Sequence, residues 1–176
     1  FYALALDHNY QPIPVIHSDV GYKLLFSKPS KQELVKLIWP TLNNFPKGLL
    51  SPVGLFVTNP VYATKALQNE LNQHSYHGTV VWSWQQALLA IGIAKQMQRQ
   101  ELPKQFREQL TIAYCKLWQV INKNRKQKST ELWSWEIIDN KFNAISFGQQ
   151  ANDKTESNAA QLWSTVYLSI FNNQCH

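Results

Sequence analysis

The sequence predicts a mainly α fold, part of an α/α toroid with a short β-hairpin. Three observations support it. Helical patterns occupy most of the chain after residue 30, no strand–helix–strand alternation argues for a parallel sheet, and the segments between helices are longer than a compact bundle needs.

The elements follow in order. Residues 2–6 and 13–16 alternate like paired strands, separated by a turn through Asp7-His8-Asn9. Ser30 is a helix cap with Glu33 three residues later, a capping-box spacing, and that helix runs to Trp39 and Pro40. A Pro- and Gly-rich loop over residues 45–60 leads to a helix over 61–73. A third helix spans about 81–98, and a fourth runs from Pro103, well suited to a first turn, to about 122. A hairpin is expected at 132–138 and 141–147, turning at Asp139-Asn140, and a last helix at 157–171.

A chain of 176 residues can bury one good core. It starts at Phe1 and passes at once into a strand-like run, which suggests a piece of an existing fold. No apolar run approaches membrane-spanning length, and the longest, over residues 87–94, is broken by Gly92. The expectation is therefore no membrane partner. Net charge is +6, concentrated in Lys123-Asn124-Arg125-Lys126-Gln127-Lys128. That run falls where a helix ends, where cations complement the helix dipole, and no nucleic-acid motif accompanies it. It reads as a solvated loop, with no nucleic-acid partner. Cys115 and Cys175 suggest neither a disulfide framework nor a metal motif, and the five histidines lack spaced carboxylate or thiol partners, so no metal is expected.

The chemistry concentrates in Tyr76-His77-Gly78-Thr79-Val80-Val81-Trp82-Ser83-Trp84-Gln85-Gln86, at the start of an apolar helical run. An ordinary helix start carries a small polar cap and then aliphatics. This one places flat aromatic faces beside bidentate amides, a combination that matches the face and the hydroxyl edge of a sugar ring. Either tryptophan alone reads more readily as core than as a sugar contact. The pattern recurs, however, in Glu131-Leu132-Trp133-Ser134-Trp135-Glu136 and again in Ser157-Asn158-Ala159-Ala160-Gln161-Leu162-Trp163. Three polar-aromatic knots suggest one shared concave site. The candidate sugar contacts are Trp82, Trp84, Gln85, Trp133 and Trp135. His77 could serve a hydroxyl or the backbone.

Several blocks together resemble the second half of six-hairpin glycosidases: Ala5-Leu6-Asp7, Pro14-Val15, His17-Ser18-Asp19-Val20-Gly21, Leu24-Leu25, Asn59-Pro60-Val61-Tyr62-Ala63, the Tyr76 to Gln86 segment, and Glu156 to Trp163. The resemblance spans nearly the whole chain, and the order of the blocks is more specific than any one of them. It implies an (α/α)6 barrel of the glycogen-debranching-like and glucoamylase-related kind, with residues 1–176 forming the C-terminal portion of a single catalytic domain. It also implies an oligosaccharide substrate with α-linked glucose, hydrolysis with inversion, and no cofactor. The N-terminal part of the same protein would then be the partner that supplies the general acid. The general base maps by position to the Glu131–Glu136 segment. Glu131, after the polar run Lys128-Ser129-Thr130, is preferred. Glu136 lies on the opposite face from Trp133 and Trp135 by strand alternation, and so points away if those tryptophans line the site. Asp19 either meets sugar hydroxyls or satisfies turn amides. Glu156 is a helix-start charge or a minor sugar contact. The rival readings are a non-catalytic carbohydrate-binding protein and an α-helical scaffold or interaction domain whose tryptophans are core.

Overall fold

The computed structural model describes residues 1–127, 130–148 and 175. The architecture corrects the mainly α toroid expected from the sequence. It is mixed α/β, with five α-helices and nine strands in four small antiparallel sheets among the described residues. The physical reason lies in the stretches between helices. Residues 50–59, expected to be loop, run through the interior, and buried backbone N–H and C=O groups must be paired. They pair as short ladders: β4 (Leu50–Ser51) with β5 (Gly54–Leu55), and β6 (Thr58–Asn59) with β3 (Ile16–His17). The first pair, β1 (Ala5–Leu6) with β2 (Pro12–Ile13), closes over the expected turn, where Asp7 Oδ1 accepts from the Asn9 and Gln11 amides at 2.8 Å each.

The centre is α4 (Ser83–Met97), buried on nearly every face, as a helix apolar all round must be. α1 (Val20–Phe26) crosses it closely. A Cβ built on Gly92 would stand 2.8 Å from the Leu24 Cβ and 3.0 Å from the Gly21 carbonyl, and one on Gly21 would stand 3.1 Å from the Leu89 amide nitrogen. These two glycines allow backbone-to-backbone contact. α1 itself is not among the helices expected from the sequence.

α5 (Lys104–Lys123) packs on another side of α4 through Phe106, Leu110, Tyr114, Leu117, Trp118 and Ile121, at helical spacing. Its last turn opens the basic run, as the dipole argument anticipates. α2 (Lys31–Leu42) begins with the expected capping box: the Ser30 side chain accepts from the Glu33 amide, and Glu33 accepts from the Ser30 amide. Lys23 donates to Glu33 at 2.8 Å, and chiefly this bond, with help from Ser30, holds the Glu33 carboxyl down at about 2. The helix expected over 61–73 shortens to α3 (Lys65–Glu70), capped by Thr64.

The hairpin forms as expected. β8 (Leu132–Ile138) pairs with β9 (Lys141–Ser146), and Asp139 and Asn140 take φ of 49° and 57°, the double positive φ of a type I′ turn. What the sequence placed at the start of the third helix is instead β7 (Val81–Trp82), which pairs with β8 and makes a three-stranded sheet. A second correction concerns the cysteines: Cys115 on α5 and Cys175 form a disulfide across 60 residues. The expected last helix, with Trp163 and Glu156, lies outside the described residues.

Candidate functional site

Two side-chain clusters build the interior. The larger holds α2, α4, α5 and Trp133; the smaller gathers Val57, Val80, Trp82, Trp84, Leu88, Leu132 and Phe147, with Tyr76 and Leu25 against it. The smaller cluster forms the wall of a cleft of about 340 Å³, at the small end of ligand sites. Trp82, Trp84, Gln85, His77 and Asp19, all singled out from the sequence, line it together, along with Tyr22.

The local chain explains the convergence. β7 runs straight into α4 with Trp82 at the cap position and no side-chain cap. Trp82 instead donates its indole N–H to the Tyr76 carbonyl at 3.0 Å, which ties the 76–78 turn to the helix start. Two residues on, the first turn of α4 projects Trp84 beside it, ring centroids 5.6 Å apart and planes 40° from parallel. Tyr22 meets Trp84 edge-on at 6.2 Å.

The polar edge is formed by α1. Asp19 occupies the N-cap of α1, but its carboxylate caps no amide. It accepts from the Gln85 amide and lies 3.3 Å from His17 Nδ1. The Asp19 side chain remains 49% exposed. The alternative that Asp19 serves turn amides is therefore not what this helix start shows. The Gln85 carbonyl oxygen is buried and accepts no hydrogen bond among the described residues, an acceptor left over at the cleft wall. Burial, and secondarily the Asp19 charge, raises the Tyr22 hydroxyl above its ordinary pKa, so it stays a neutral donor at physiological pH. Tyr22 was missed from the sequence because α1 was missed; on a helix, position 22 shares a face with position 19.

Trp133 and Trp135 lie elsewhere. Trp133 is 1% exposed and donates to the Val53 carbonyl at 2.8 Å. Trp135 donates to the Thr79 carbonyl and packs on Phe56 and Phe142. Both occupy the face of β8 turned to the larger cluster. The alternate face, with Leu132, Ser134 and Glu136, is the one whose Leu132 joins the cleft-wall cluster. Glu136 is half-buried and sits roughly 13 Å along the strand from Leu132.

Glu131 is 2% exposed. Its carbonyl accepts from the Ser83 amide at 2.9 Å and the Ser83 hydroxyl at 3.1 Å, which fixes it to the start of α4. Its Oε1 accepts from the Tyr76 hydroxyl at 2.6 Å, and its Oε2 is buried without a hydrogen-bond partner among the described residues. The Tyr76 ring packs on His77 and Trp82, centroids 5.1 and 4.9 Å away, so Glu131 sits one side chain behind the cleft wall. A buried carboxylate oxygen left unpaired costs on the order of 1–3 kcal/mol, so Oε2 is an exception to the rule that buried polar atoms are paired.

A separate groove of about 250 Å³ between α2 and α5 is lined by Ile38, Trp39, Leu42, Ile112 and Ala113, with Lys116 its one charge. It lacks the convergence of acid, amide and aromatic faces, so the tryptophan cleft is the better candidate. Among the described residues, no three His, Cys, Asp or Glu side chains gather as metal ligands would, and no helix is long and apolar enough to cross a membrane. No protein-family model matches this chain, and no curated protein matches it in sequence.

Proposed function

We propose that the tryptophan cleft binds a pyranose unit of an oligosaccharide, and that the protein containing this chain hydrolyses α-linked glucosides with inversion. The observation that carries the binding reading is the convergence of Trp82, Trp84 and Tyr22 with the Asp19–Gln85 pair in one cleft. Aromatic faces cover the C–H faces of a sugar, while a carboxylate and an amide each bridge adjacent hydroxyls. The ordered blocks that resemble six-hairpin glycosidases extend the reading from binding to hydrolysis.

In that reaction Glu131 takes a proton from water as the water attacks the anomeric carbon. The acid that protonates the leaving oxygen comes from outside these residues. Ser83 holds Glu131 beside the helix that carries Trp84 and Gln85, which supports this role. A second reading, carbohydrate binding without catalysis, is favoured by one observation: Glu131 is buried and does not line the cleft.

Maltotriose titration of tryptophan fluorescence tests the binding, and maltotriose hydrolysis by the full-length protein separates the two readings. Glu131→Gln should keep folding and sugar affinity while lowering turnover by about two or more orders of magnitude. The same change at Glu136 should cost less. Quenching without hydrolysis in the wild type would leave the binding reading alone.

A further inference from the structure

We infer that Tyr76 is the positioning residue of the Glu131 carboxylate; this rests on the reading of Glu131 as the general base. The Tyr76 hydroxyl donates to Glu131 Oε1 at 2.6 Å, within the short range of hydrogen bonds to ionised acceptors. The two residues are 55 positions apart, and each is held by one of two adjacent residues at the start of α4, Trp82 and Ser83. Trp82 binds the Tyr76 carbonyl, and Phe147, His77 and Trp82 surround its ring. Ser83 binds the Glu131 carbonyl twice.

The carboxylate is therefore clamped from its backbone and from one oxygen. The bond assigns the two oxygens different work. Oε1 is occupied by Tyr76, so Oε2, buried and without a hydrogen-bond partner among the described residues, is the oxygen left to accept the proton from water. The Tyr76 ring is the layer between Glu131 and the cleft side chains His77 and Trp82. A base whose orientation drifts loses the alignment with water on which such catalysis depends.

Tyr76→Phe in the full-length protein keeps the ring contacts and deletes only the hydroxyl. With maltotriose as the probe, kcat should fall about tenfold to a hundredfold while KM and the fluorescence-derived affinity stay within about twofold. In a Glu131→Gln background, the same change should produce no further loss, because Tyr76 acts through that carboxylate. If Glu131→Gln retains turnover, the base assignment fails and this inference with it. If Glu131→Gln is inactive but Tyr76→Phe keeps full kcat, the base assignment stands and the positioning role is overturned. Loss of folding in Tyr76→Phe, or a further drop in the double variant, would likewise overturn it by placing Tyr76 in the core or in a separate role.

Discussion

The side-chain amide of Gln85, near the start of α4, donates to the carboxylate of Asp19 at the head of α1, joining residues 66 positions apart at the rim of one cleft. This contact orients the carboxylate toward the cleft rather than toward its own helix amides. Asp19→Asn keeps the size of the group and removes its charge. It should raise the maltotriose Kd about tenfold, the equivalent of one charged hydrogen bond at roughly 1.4 kcal/mol. Gln85→Leu should weaken binding similarly, by removing both the partner of Asp19 and a free acceptor. Isothermal titration is the measurement, and an unchanged Kd in both variants would remove Asp19 and Gln85 from the site.

Trp133 and Trp84 are both buried, at 1% and 7% exposed, but Trp84 lines the cleft and Trp133 does not. Trp133→Ala should cost about 3–5 kcal/mol of unfolding free energy, because a 1% exposed indole with a bonded N–H is replaced by a cavity. The folded fraction should still respond to maltotriose. Trp84→Phe should unfold near the wild-type denaturant midpoint, yet lose most of the sugar-dependent quenching. Sugar affinity that follows Trp133 instead would place the sugar on the other face of β8.

How much of this was readable in advance depended on whether the signal was local. The Ser30–Glu33 box, the Asp139-Asn140 turn and the start of α5 after Pro103 are set by neighbours within four residues, and each formed where the sequence placed it. The ladders β3–β6 and β4–β5 are different. They are two residues long, so no alternation can announce them, and their pairing follows from the burial of the 50–59 stretch. α1 carries Gly21, a poor helix former, and is secured by its contact with α4. At the cleft, the chain neighbours Trp82, Trp84 and Gln85 lie together with His77 and Asp19. Trp133 and Trp135 did not join them, because identical Trp-Ser-Trp triplets at a helix start and in a strand face different directions. That placement also reverses the argument from alternation about Glu136: its face is the one that carries Leu132 to the cleft-wall cluster.

The Cys115–Cys175 bond spans 60 residues, enough for a large reduction of unfolded-state freedom. Reduction should lower unfolding stability by about 2–4 kcal/mol. Chemical denaturation with and without dithiothreitol measures it. Cys115→Ser should abolish the reductant effect. Two free thiols in unreduced, denatured protein would refute the linkage.

Gly92 tests how α1 and α4 meet. Alanine is a better helix former than glycine by about 0.8–1.0 kcal/mol, so at an open helical position Gly92→Ala would stabilise. Here the new methyl would stand 2.8 Å from the Leu24 Cβ and 3.0 Å from the Gly21 carbonyl, and neither atom is the end of a flexible chain. Overpacking of this kind costs about 1–3 kcal/mol, more than the propensity gain over most of that range. The two helices would have to separate, and Asp19, at the head of α1, would move from Gln85 on α4. Gly92→Ala should therefore destabilise by about 1–2 kcal/mol in urea and weaken maltotriose binding as well, although residue 92 does not line the cleft. A stabilised variant with unchanged affinity would show that α1 and α4 do not cross at Gly92 as described.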